Sequence, residues 1–297
     1  MKKQQQIVEH YLARSRFALS GYSFVNIFAW MDFFEFDFQL INDHLCIFAE
    51  NEVGCFLYLP PLGLNVAADT IDECFQRMTE RNKGSGVTRI ENVTEDQLAL
   101  YPPQHYKLYL KSHEYIYRRA DLSKFQGRAY KSKRSGYNHF VKHYSFEFQP
   151  FQPGMRRECL ALYDEWAQDR RKRGINDIDE AMLEQNRLVH EKVMSAFEEL
   201  GLIGRVVTVN GTIKGYTFGY ALNQDTFCVL FEITDLSVKG LAVYIFRAFC
   251  QDPALAAFSW INAMDDFGLE NIQQTKRSFR PASLVASYTV TPQLTHH

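Results

Sequence analysis

The chain has 297 residues, of which 46% are hydrophobic and 23% charged, with a formal net charge of -2. That length supports two cores of about 150 residues each, and the charge balance excludes a coat protein that is basic throughout, while leaving room for one basic face. No run approaches the roughly 18 continuous apolar residues of a spanning helix, and the stretch from Phe17 to Trp30 is broken by Ser20, Ser23 and Asn26, which is poor for a secretory signal. A cytoplasmic protein without a transmembrane segment is expected.

Residues 34–59 read as three strands separated by Asn42-Asp43 and by the Glu50 to Gly54 turn, an antiparallel meander. A helix follows from Ala67 to about Asn82, where Ile71, Cys74, Phe75 and Met78 recur at helical spacing; Gly84-Ser85-Gly86 ends it before a short strand, VTRIENV. Between Arg118 and Lys142 the chain carries eight Lys or Arg against one acid, Asp121. Helical phase from Leu122 onward puts Leu122, Phe125, Ala129, Gly136, Phe140 and Tyr144 on a packing stripe. Lys124, Arg128, Lys131, Ser135, Asn138 and Lys142 fall on another face. A cluster of this kind needs a negative partner: a phosphate-bearing ligand, a nucleic acid, or acidic neighbours on the same chain.

The second half repeats the order. Helices at about Met155 to Arg173 and Ala181 to Leu200 precede residues 202–233, where Asn210-Gly211 is a strong hairpin turn and Asn223 to Asp225 a second. Gly240 opens a helix, and a strand resumes near Phe258; because a helix intervenes, the strands flanking it can be parallel. Glu232 closes an apolar strand, VLFEI, where a carboxylate is costly to bury and must face a pocket or a cation. Asp265 and Asp266 follow Trp260 to Asn262 at a strand end, where open α/β sheets bind ligands. Cys46, Cys55, Cys74, Cys159, Cys228 and Cys250 show no two-residue spacing, so reduced buried thiols and no metal centre are expected.

Several short motifs carry a family resemblance across nearly the whole chain. They are Ser23 to Asn26 with Trp30, Pro60 to Gly63, Tyr115 to Arg118, Gly127-Arg128, Lys133-Arg134, Asn138 to Phe140, Phe231-Glu232, Lys239-Gly240, Ile261-Asn262, and then Asp266, Gly268, Lys276 and Pro281. In order and spacing they resemble proteins related to the C-terminal catalytic domain of phosphatidylglycerol lysyltransferases. The resemblance implies an α/β fold with mixed sheets, built as tandem GNAT-like acyltransferase domains: 1–113, a basic interdomain segment 114–150, and 151–297 with the site.

The resemblance also implies roles. Arg134 and Asn138, one helical turn apart, would face the ligand, with Arg128 beside them. Glu232 or Asp266 would hold a donor's α-ammonium group, and Arg134 or Lys276 would polarise the ester, with Asn262 and Asp265 lining the substrate. Lys239, Gly240 and Ala242 occupy the turn that holds the pyrophosphate of coenzyme A in GNAT enzymes, although Ser237 replaces the Gln or Arg of that pattern. Ala263 and Met264 replace an Arg and a Glu common in the family. Three readings stay open. One is transfer from aminoacyl-tRNA to a hydroxyl or amine, on a lipid or peptide, with no required cofactor. The others are N-acyl transfer from acyl-CoA and a non-catalytic binding module on the same scaffold.

Overall fold

A computed structural model of the chain describes residues 2–13, 17–83, 86–172 and 177–293, with the side chains of 177–179 also left aside. Gly84 and Ser85, Arg173 at the expected end of a helix, and the terminal His296-His297 pair lie outside the described residues. The chain forms two compact units. The first comprises 1–115, 264–270 and 284–297; the second comprises 116–263 and 271–283. The basic segment from Ile116 is therefore built into the second unit, and two C-terminal pieces belong to the first. The sequence boundaries had set residues 114–150 apart and kept 151–297 whole.

In the first unit, helices α1 (Lys2–Leu12) and α2 (Phe24–Trp30) precede strands β1 (Glu35–Ile41), β2 (His44–Asn51) and β3 (Gly54–Leu57). The β1–β2 hairpin turns at Asn42 and Asp43, both at positive φ as a tight two-residue hairpin requires. Helix α3 (Ala68–Asn82) lays Ile71, Cys74, Phe75 and Met78 on the sheet and leads to β4 (Ile90–Val93), which pairs in parallel with β3. Burial of Ile71, Phe75 and Met78 contributes about 1.5–3 kcal/mol each. Strands β5 (Tyr106–Arg118) and β11 (Ser283–Pro292) complete the order β1-β2-β3-β4-β11-β5.

Strand β5 carries the chain into the second unit, where α4 (Arg119–Lys124), α5 (Lys131–His143), β6 (Phe146–Pro150), α6 (Arg156–Arg171) and α7 (Asp177–Ser195) follow. Strands β7 (Ile203–Val209), β8 (Thr212–Ala221) and β9 (Thr226–Thr234) form an antiparallel meander with β6, and Asn210-Gly211 makes the β7–β8 turn with both residues at positive φ. Helix α8 (Leu241–Gln251) then crosses to β10 (Trp260–Asn262), which is parallel to β9 and antiparallel to the end of β5. Helix α9 (Glu270–Ser278) precedes β11. Meander, crossover helix and parallel strand thus occur in each unit, the tandem GNAT-like order.

The basic segment departs from its expected single helix. Phe125 stops α4 in the left-handed conformation with its ring fully buried, Gly127 also takes positive φ, and α5 starts only at Lys131. The break follows from packing, because Phe125 stacks on Tyr130 and meets Phe279. Leu122, Phe125 and Phe140 are buried as the stripe predicts, whereas Ala129, displaced by the break, is exposed.

Candidate functional site

Strand β10 pairs with β9 only from Thr226 to Cys228, so β9 runs on to Thr234 without that partner. Just past the parting the β8–β9 register shifts: Gly219 faces Val229 and Phe218 faces Phe231, leaving Leu230 as an extra residue. A bulge of this kind re-aims the side chains that follow it. Phe231 stacks on His190 of α7, with ring centroids 3.9 Å apart. The next residue, Glu232, therefore turns to the face that α8 covers, where Gly215 of β8 meets Ile245.

Directly across the ladder from Glu232 stands Thr217, 0% exposed. Neither Glu232 Oε2 nor Thr217 Oγ1, both buried, has a hydrogen-bond partner among the described residues. Two orphaned polar atoms side by side are costly, since an unsatisfied buried group forfeits about 1–3 kcal/mol. Burial pushes the Glu232 carboxyl up to about 8, against a smaller opposing pull from Thr217. Its charge in turn adds to the burial that raises the Cys250 thiol on α8. All six cysteines are buried.

The loop from β9 to α8 carries its own anion. Asp235 Oδ1 accepts from the Ser237 backbone N–H at 2.8 Å and from its hydroxyl at 2.6 Å, while Oδ2 pairs with Lys214 at 2.8 Å. These contacts outweigh partial burial and hold its carboxyl below the usual range. Gly240 has φ of 89° and lies so near α5 that a Cβ would sit 2.3 Å from the Gly136 carbonyl oxygen. The glycine is thus required for α5 to pack on α8. The Lys239 N–H donates to the Tyr144 hydroxyl at 3.2 Å, and the Lys239 and Ala242 side chains are exposed.

Arg134 and Asn138 part company. The Arg134 guanidinium turns back to donate to the carbonyls of Phe125 and Gly127, fixing the loop between α4 and α5. Asn138 lies exposed on the outward face of α5, and Arg128 is exposed in the loop. Lys133 turns inward, with Nζ 3.5 Å from the Phe279 ring centroid, and burial lowers it to about 8.

At the end of β10, Asn262 is fully buried and the Lys276 ammonium donates to the Ala263 carbonyl at 2.5 Å, while the Lys276 carbonyl accepts from Tyr117. Lys276 therefore holds the strand end just past Asn262. Asp265 and Asp266 belong to the first unit. There Asp266 is buried and accepts from the Tyr115 hydroxyl at 2.5 Å and from the Gly268 N–H at 3.0 Å; Asp265 is half-buried.

The second unit thus carries Glu232 on the stretch of β9 beyond its pairing with β10, and Asn262 and Lys276 at the end of β10. Arg128, Arg134 and Asn138 go with α5, which meets Lys239 and Gly240 at the start of α8. Sequence reading missed Thr217 and named Lys133 only within the Lys133-Arg134 motif. A threonine in a strand is unremarked until the bulged register sets it opposite a carboxylate, and Lys133 was hidden within a run of cations whose phase the Phe125 break resets.

Among the described residues no three potential ligands from His, Cys, Asp and Glu gather as a metal set, and no helix is long and apolar enough to cross a membrane. Comparison with curated proteins finds no match. Residues 13–291 match the family model described as phosphatidylglycerol lysyltransferase, C-terminal. Among solved structures, a conserved protein of unknown function from Bacteroides thetaiotaomicron aligns with a TM-score of 0.86 and 23% identity, over 99% of this chain and 98% of that one. The C-terminal domain of a putative lysylphosphatidylglycerol synthetase from Agrobacterium fabrum gives 0.66 and 11%, over 99% and 92%. L-PGS from Bacillus licheniformis gives 0.65 and 16%, over 96% and 90%. At these identities the structures establish a shared fold, and the family match covers most of the chain. The chain belongs to the phosphatidylglycerol lysyltransferase C-terminal family.

Proposed function

We propose that the chain is an aminoacyltransferase that moves an aminoacyl group from the ester of an aminoacyl-tRNA to a hydroxyl or amine acceptor. The observation that carries this reading is the buried Glu232 carboxyl across from Thr217, with Oε2 unsatisfied among the described residues, on the stretch of β9 beyond β10 in a chain of this family. A carboxyl raised to about 8 is mostly protonated at neutral pH, and its ionised fraction acts as the general base. Glu232 takes the proton as the acceptor oxygen or nitrogen bonds to the ester carbonyl carbon. The ester C–O bond breaks, and the proton passes to the leaving ribose oxygen. Because the ester is already activated, placing acceptor and donor together supplies much of the acceleration. Lys276 and Asn262 act as positioning residues that fix the end of β10.

Two contacts weigh toward this donor over coenzyme A. The Ser237 N–H of the β9–α8 loop is already taken by the Asp235 carboxylate, which repels a pyrophosphate, and the Gly136 carbonyl closes on Gly240. The test is a screen of labelled aminoacyl-tRNAs for transfer to lipid and peptide acceptors, run beside a thermal-shift titration with coenzyme A. Transfer without coenzyme A binding is expected; saturable coenzyme A binding without aminoacyl transfer would overturn the donor.

A further inference from the structure

Strand β1 stands at the end of the strand order in the first unit, and it pairs with β2 through all seven of its residues, from Glu35 opposite Glu50 to Ile41 opposite His44. An outermost strand offers a row of backbone N–H and C=O groups to any strand that comes beside it, and proteins ordinarily blunt it with Pro, Lys, a bulge or a short length. The second unit's outermost strand, β6, is blunted in this way: it is five residues long and ends on Pro150. Strand β1 contains no Pro, Lys or Gly, and its register with β2 runs without a shift.

The two faces of β1 differ. On one, the Phe34, Phe36 and Phe38 rings follow one another at centroid separations of 6.2 and 6.5 Å, each half-buried, and Leu40 at the end of the row is 65% exposed. On the other, Asp37 pairs with Arg81 of α3 at 2.6 Å and Gln39 accepts from Arg77, so the central carboxylate of the strand is neutralised within its own unit. An apolar face that runs up to an open edge marks an interaction surface. A bilayer does not suit it, because hydrocarbon leaves the edge N–H and C=O groups unsatisfied, whereas another strand satisfies them.

We infer that β1 is a dimerisation strand, pairing antiparallel with β1 of a second copy about a two-fold axis at Phe38. The sequence EFDFQLI is self-complementary in that register. With Phe38 opposite its own copy, Phe36 meets Leu40, Asp37 meets Gln39 and Glu35 meets Ile41. All seven residues then pair, the apolar side chains form one stripe across the junction, and every carboxylate faces an uncharged side chain. An axis at Asp37 sets that carboxylate against itself, an axis at Phe36 sets Glu35 against Asp37, and an axis at Gln39 pairs only the five residues from Asp37 to Ile41. Such a contact is closed, since each copy uses the same strand. Strand β1 belongs to the first unit and holds none of the residues proposed for transfer, so the dimer stands apart from that reading.

The test is sedimentation equilibrium of the full chain at micromolar concentration. Wild type should sediment as a dimer, and Leu40→Lys, at an exposed position that the fold does not need, should weaken dimerisation about tenfold or more. A monomeric wild type overturns the inference, whether it stays free or is captured by phosphatidylcholine vesicles, and so does a Leu40→Lys variant that dimerises as wild type does. The register is read by thiol cross-linking with a mild oxidant, to which the six buried native cysteines are closed. Phe38→Cys, with about 4.5–5.5 Å between the two Cβ atoms, should give a disulfide-linked dimer. Leu40→Cys, about 14 Å from its own copy along the paired strands, should not. Equal linkage of the two variants, or none in a Phe38→Cys sample that sediments as a dimer, overturns the pairing at Phe38.

Discussion

Glu232 is a carboxyl group whose surroundings favour its proton. Its titration moves from an ordinary 4.5 to about 8 because burial penalises the anion. Between those values the folded chain keeps a proton that the unfolded chain has released, so stability falls as pH rises through that window. Glu232→Gln should remove this slope, and urea unfolding at pH 5 and pH 8 measures it; a slope equal to that of wild type would contradict the burial described here. Arg134 makes a different claim. Its two bonds to Phe125 and Gly127 carbonyls hold the loop, so Arg134→Met should cost about 1.5–3 kcal/mol in urea unfolding. Glu232 was legible in the sequence, because a carboxylate in an apolar strand must be explained. Thr217 was not, because its meaning depends on a register shift that only pairing reveals.

At the scale of elements, α5 and α8 are fitted backbone to backbone at Gly136 and Gly240. Gly240→Ala would put a Cβ against the Gly136 carbonyl in a left-handed conformation, at a combined cost of about 2–5 kcal/mol. A drop in Tm of the whole protein, with a rise in proteolysis within 124–143, is the expected readout. The turns Asn42-Asp43 and Asn210-Gly211 were readable because positive φ selects those residues, and α3 because its apolar spacing is helical. The break between α4 and α5 was not, since Phe125 is forced from helical geometry by rings at Tyr130 and Phe279 that lie apart in sequence. That break decides which cations face outward.

At the scale of the molecule, two units repeat one order of elements but differ in chemistry. The first unit's β3 reads Gly-Cys-Phe-Leu and carries no carboxylate beside its parallel partner β4. The first unit's buried Glu114 is instead satisfied by the Ser20 N–H at 2.8 Å and hydroxyl at 2.6 Å. Glu114→Gln should therefore lower Tm while the folded fraction transfers at the wild-type rate, a split that thermal unfolding and single-turnover kinetics separate. One rate decides whether Glu232 of the second unit is the base of an aminoacyl transfer. It is the rate of transfer from labelled aminoacyl-tRNA by wild type and by Glu232→Gln, with circular dichroism confirming the fold. Wild type should form product and the variant should lose about 10²–10⁴-fold; undiminished transfer by Glu232→Gln would rule Glu232 out as the base.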